Sequence, residues 1–167
     1  MSSTYVTQQG MFLLNQELSE RWLRRREVVK ALAAAAAEGD RSENAEYIYR
    51  KKELRELDRR IRYLQKRLPD LQVVDRKPDD ANRIFFAARV TLELQDGSQV
   101  SYRIVGPDEI DHAKGNISVD SPLARGLLGK QVDDEVRVKV PEGMCVYYIV
   151  KVSYEESQPS PGGRGLE

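Results

Sequence analysis

Between Tyr47 and Pro69 the apolar residues Leu54, Leu57, Ile61, Leu64 and Leu68 step by three, four, three and four. That is the heptad spacing of a helix that buries one stripe against another helix, and Pro69 ends it. Upstream, from Thr7 to Glu38, Leu14, Leu18, Trp22, Val29, Leu32 and Ala36 recur at helical spacing, with Arg25 as the interruption. Two helices of matched length, joined by a short polar bend containing Gly39, predict an antiparallel helical hairpin, a coiled coil over residues 1–74. At 1.5 Å per residue the second helix would extend roughly 40 Å. The bend EGDRSEN, near 38–46, then sits at its far end.

Past a proline- and acid-rich linker at 75–83, the apolar period falls to two. Phe86, Ala88, Val90, Leu92 and Leu94 alternate with more polar neighbours, Asp96-Gly97 turns the chain, and Val100, Tyr102 and Ile104 alternate back. This is a β-hairpin pattern. A short strand at Ile117 to Val119 follows, then a helix opened by Ser121-Pro122 and stopped by Gly129. The runs EVRVKV and MCVYYIVKVSY flank a PEG turn. One short helix set against an antiparallel sheet predicts a small α+β domain over 84–155. The tail 156–167, SQPSPGGRGLE with its preceding residue, offers nothing to pack and is expected to be disordered.

Several function classes fall away. No stretch approaches the ~20 apolar residues of a membrane span, and MSSTYVTQQG lacks the basic and apolar regions of a signal peptide. A single cysteine, Cys145, and a single histidine, His112, exclude a disulfide framework and argue against zinc. Cys145 lies in a strand and is expected to be buried, His112 to be on the surface. A reducing, cytoplasmic setting is the natural reading. The net charge is zero, yet residues 1–68 hold 15 basic against 10 acidic side chains, while 69–167 hold 12 against 17. Such asymmetry points to a basic segment that meets nucleic acid or an acidic surface.

The chemistry concentrates at the bend. Asp40-Arg41-Ser42-Glu43 has capping-box spacing, an aspartate at the N-cap and a glutamate three residues later. Both acids also complement the positive end of a helix dipole. Equally, carboxylates exported to a hairpin apex suit a hard cation such as Mg²⁺, which takes one or two protein carboxylates and keeps several waters. Two carboxylates hold such an ion weakly alone but can complete a site that another macromolecule half builds. The readings are compatible. Behind the bend, YRKKELRELDRRIRYLQKRL carries nine basic residues against three acids. That is either a solvated face with internal i to i+4 pairs or a track for a phosphate backbone.

With YVTQQG, GDRSENAEY, KKELRELDRRIRYL, FFAARV, YRIVGPDEI and ISVDSPLARGLLGK in view, the chain resembles the bacterial Gre transcript-cleavage factors over roughly residues 5 to 155. The arm resembles the GreB branch most closely. The resemblance implies an N-terminal coiled-coil hairpin and an FKBP-like C-terminal domain. It implies a monomer that docks at the rim of the secondary channel of RNA polymerase and passes its hairpin into the pore. There Asp40 and Glu43 help hold an Mg²⁺ shared with the polymerase active site, with Ser42 and Asn44 supporting the tip, so that the polymerase cuts its own backtracked RNA. The protein would have no cofactor of its own and would not itself be an enzyme. Arg50, Lys51, Lys52 and Arg55 fall in the family's basic patch, expected near the nascent RNA 3′ end, and Asp120, Ser121 and Pro122 in the region associated with polymerase docking. Three departures stand out: Tyr5-Val6-Thr7 replaces a proline-led start before T-x-x-G, DHAKGN differs from the family's usual pattern, and the alanine run before the tip is unusually bland. Competing readings are a channel-occupying antagonist, a peptidyl-prolyl isomerase, and a plain coiled-coil adaptor.

Overall fold

The structure, a computed structural model, describes residues 3–39, 44–74 and 78–154. The tip residues Asp40, Ser42 and Glu43 and the tail 156–167 lie outside the described residues. Contacts separate two compact units, Met1–Met11 with Leu71–Glu167, and Phe12–Asp70.

In the helical unit, α1 (Gln8–Ala36) and α2 (Ala45–Arg67) are antiparallel. Partners run in opposite order along the two helices: Glu17 with Arg60, Arg24 with Glu53, Ala35 with Asn44. The seam of α2 is as the spacing predicts, with Leu57, Ile61 and Leu64 buried and Leu54 and Leu68 half-buried. The seam of α1 differs. Buried there are Leu14, Val28 and Ala35, not Val29 and Ala36, and Trp22 is 41% exposed. A strict heptad step from Leu14 passes through Leu18, Arg21, Arg25, Val28, Leu32 and Ala35. Following apolar residues alone skips the arginines and slips the register by one. The arginines are tolerated because each meets a carboxylate, Arg21 that of Glu17 and Arg25 that of Asp58 on α2. Nor are the helices matched: α1 has 29 residues and α2 has 23, about 34 Å at the helical rise. The first turn of α1 groups with the other unit.

That unit is a five-stranded sheet in the order β5-β4-β3-β7-β6, formed by β3 (Arg89–Leu94), β4 (Gln99–Val105), β5 (Asn116–Ser118), β6 (Glu135–Val140) and β7 (Gly143–Ser153). All neighbours are antiparallel except β4 and β5, which run parallel. The Asp96-Gly97 turn closes β3 on β4: Gly97 takes φ +89°, and the Asp96 carboxylate accepts from the Ser98 amide and hydroxyl. β3 starts three residues later than the alternation from Phe86 suggests. Ala87 adopts φ +75° in a tight turn in which the Ala88 amide donates to Phe85, yet Phe86 and Ala88 still point inward.

The core joins Ala88, Val90, Leu92, Ile104, Val136, Val138, Ile149 and Val152 of the sheet region with Ala124 and Leu127 of α3 (Pro122–Leu127). α3 packs close because Gly126 faces β6; a Cβ there would lie 3.2 Å from a methyl of Val138. Cys145, opposite Val138 on β7, is only half-buried, since the core thins toward the Gly143 turn. His112 is exposed. Two strands carried no periodic signal: β1 (Tyr5–Val6) and β2 (Gln72–Val73), each two residues long, pair in parallel. No described helix is long and apolar enough to cross a membrane.

Candidate functional site

The bend is closed from both sides by one side chain. Asn44 is the N-cap of α2: its Oδ1 accepts from the Tyr47 amide at 3.0 Å, and its Nδ2 donates to the Ala35 carbonyl at 2.8 Å, next to the end of α1. Gly39, at φ +120°, takes a backbone conformation that side chains resist. The capping box suggested by Asp40 and Glu43 is therefore not how α2 begins, for the helix starts at Ala45 behind an asparagine cap. An asparagine suits the position because its amide carries an acceptor for one helix and a separate donor for the other. Asp40, Ser42 and Glu43 themselves lie outside the described residues. Among the described residues no cluster of His, Cys, Asp and Glu could hold a metal ion.

The basic run divides into two sets. Arg50 turns to its own acids, bonding Glu46 at 2.6 Å and Glu53 at 2.8 Å, with its guanidinium over the Tyr49 ring. Glu53 also accepts from Arg24 of α1 at 2.8 Å, and Arg24, then Arg50, hold its carboxyl below the ordinary range against the opposing effect of burial. Lys51 lies over Tyr47. Lys52 and Arg55 are exposed, and among the described residues neither meets a carboxylate. The same holds for Arg59, Arg62 and Lys66. Spacings of three and four put Lys52, Arg55, Arg59, Arg62 and Lys66 on one stripe, opposite the Leu57–Ile61–Leu64 seam. Of the four patch residues expected from sequence, Arg50 is thus engaged within the hairpin, whereas Arg59, Arg62 and Lys66 extend the exposed stripe. Arg50 is matched by the acids three and four positions away on its own helix, whereas among the described residues the exposed stripe meets no carboxylate.

In the sheet unit, Asp120 bonds both a neighbour and the distant N-terminal segment, and Ser121 caps a helix. The Asp120 carboxylate accepts from the Ser3 amide at 2.8 Å, and its own amide donates to Ser118 Oγ. Ser121 Oγ accepts from the Ala124 amide as the N-cap of α3, and Pro122 occupies the first turn and is exposed.

Residues 4–73 match the family model described as the transcription elongation factor N-terminal domain, and residues 78–154 that described as GreA/GreB, C-terminal. The chain belongs to the GreA/GreB family of transcription elongation factors. It is 57% identical over 155 residues to the transcription elongation factor GreB of Xanthomonas axonopodis pv. citri, covering 92% of each chain. It is 54% identical to that of Pseudomonas aeruginosa, covering 89% of each, and 53% identical to that of Haemophilus influenzae, covering 92% of this chain and 98% of the other. Within the GreA/GreB family the resemblance is thus to the GreB branch, over both units. The T-x-x-G at Thr7–Gly10 and the GPDE at 106–109 lie in different family segments, yet the fold brings them together, as described below.

Proposed function

We propose that this chain binds RNA polymerase in the cytoplasm, inserts its hairpin into the secondary channel, and stimulates the polymerase to cleave backtracked RNA at its 3′ end, thereby rescuing arrested complexes. The observation that carries the reading is the cap. Asn44 closes α2 and ties it to Ala35, so the helix start at Ala45 does not require the Asp40–Glu43 pair that the sequence places in the bend. Two carboxylates three positions apart in an exported bend match a hard cation that brings the rest of its shell from elsewhere.

Asp40 and Glu43 would help hold an Mg²⁺ shared with the polymerase active site, with Ser42 and Asn44 shaping the tip. Bound there, the ion supplies charge neutralisation and water activation for phosphodiester hydrolysis. The chain's own contributions are delivery and orientation. Seam packing keeps the arm helical, and the exposed cations Lys51, Lys52 and Arg55 favour a phosphate backbone beside it. Asp120, Ser121 and Pro122 lie in the region assigned to docking. The factor is then not itself an enzyme and acts as a monomer.

The decisive test uses a stalled, backtracked elongation complex carrying 3′-labelled RNA and Mg²⁺. Short labelled fragments should be released by the native factor and not by Asp40→Ala/Glu43→Ala, with polymerase binding retained by both. Binding without release by the native factor would replace this reading with that of a channel-occupying regulator.

A further inference from the structure

The two sequence stretches T-x-x-G and GPDE meet at a single carboxylate. Glu109 accepts from the Thr7 amide at 2.9 Å, from the Thr7 hydroxyl, and from the Gly106 amide at 2.9 Å. Thr7 in turn opens α1: its Oγ1 accepts from the Gly10 amide at 3.0 Å and its carbonyl from the Met11 amide at 2.9 Å. Thr7 is only 2% exposed, and Gly10 and Gly106 are buried.

The glycines are there for room. A Cβ on Gly10 would overlap the Glu109 carboxyl, and one on Gly106 would overlap the Tyr5 carbonyl of β1. The amide and hydroxyl of Thr7, the residue that opens α1, are thus both directed to one side chain on the loop after β4. Three donors converge on one carboxylate, a requirement an amide cannot meet, since it offers one acceptor and adds donors of its own.

We propose that Glu109 is a positioning residue that holds the root of the arm helix on the sheet unit. This rests on the reading that the arm acts at its far end, where looseness at the root costs reaction geometry. Chemistry is then lost from the maximal rate rather than from polymerase affinity.

The test compares the full-length native factor with Glu109→Gln, Thr7→Val and Thr7→Ser, the last of which keeps the hydroxyl. Amide hydrogen exchange at Thr7, Gly10 and Met11 should accelerate about tenfold in Glu109→Gln and Thr7→Val, with β3 and β7 unchanged. In Thr7→Ser it should stay near native. On backtracked complexes, the first two variants should lower the maximal cleavage rate about tenfold while the factor concentration giving half of it stays within about threefold. Unchanged exchange in both variants overturns the anchor. Accelerated exchange with an unchanged maximal rate overturns the positioning role. Should the native factor give no cleavage, the proposed function fails on its own, and exchange still decides whether Glu109 anchors α1.

Discussion

Glu17 on α1 and Arg60 on α2 form a two-pronged clamp across the hairpin, Arg60 Nε to Glu17 Oε2 at 2.7 Å and Nη2 to Oε1 at 3.0 Å. Arg21 adds a third bond at 2.6 Å from its own helix. The hydrogen bond from Arg60 lowers the Glu17 carboxyl below its ordinary 4.5, partial burial opposes this, and Arg21 lowers it further. A carboxyl with a depressed folded-state pKa stabilises above the unfolded value and loses that contribution as pH falls through the folded one. Glu17→Gln should therefore lower the melting temperature near pH 7, and the gap from the native protein should shrink as pH falls below the ordinary 4.5. Thermal melts of both proteins across that range check it; a gap that persists in acid would show that Glu17 acts by shape alone.

The seam register on α1 is open to a paired substitution. Val28 is 1% exposed and Val29 39%. Val29→Ala should stay within about 0.5 kcal/mol of the native stability, and Val28→Ala should cost clearly more in the same denaturant titration. On the facing helix Leu64 is fully buried, so Leu64→Ala should cost about 2–5 kcal/mol.

Gly106 meets backbone where Gly97 meets open space. In Gly106→Ala the new methyl collides with the Tyr5 carbonyl, which is held in β1 and cannot swing aside. A cost of about 1–3 kcal/mol is expected, with faster exchange in β1. Gly97→Ala should cost about 1 kcal/mol, from its positive φ alone. Equal losses would remove the steric explanation.

Tyr154 closes the start of the sheet unit through its hydroxyl, which accepts from the Phe85 amide at 2.8 Å and donates to the Arg83 carbonyl at 2.6 Å. Tyr154→Phe strips both groups of that partner and should cost about 1–3 kcal/mol by chemical denaturation. A neutral result would mean that water replaces the hydroxyl.

The two sets of cations on α2 should separate in function. Lys52→Glu with Arg55→Glu should weaken action on backtracked complexes and flatten its dependence on salt by about one logarithmic unit of slope for each cation lost. Arg50→Ala should leave that slope unchanged and instead lower the melting temperature, because its charge is already matched by Glu46 and Glu53. Cleavage measured over a series of salt concentrations distinguishes the two; equal slopes for all variants would remove the exposed stripe from any phosphate contact.

Much of this architecture was legible in the residues. Heptad steps from Leu54 to Leu68, the Asp96-Gly97 turn and the Ser121-Pro122 helix start are local signals, and each structural element they announce is present. The signals failed where the partner lies far along the chain. Spacing cast Asp40 as the cap, but Asn44 takes that role because its amide also reaches Ala35. Apolar residues cast Val29 into the seam, but Asp58 makes a place there for Arg25.

The sequence by itself determined the periods, the turns and the sharing of charge between two halves, since these depend on residues within a turn or two of one another. Only the tertiary structure decided which arginines meet acids across the hairpin, which valine is buried, and that Thr7 and Glu109, 102 positions apart, share one set of hydrogen bonds. Such pairings follow from which surfaces meet once the chain has folded, and no local pattern encodes the address of a distant partner.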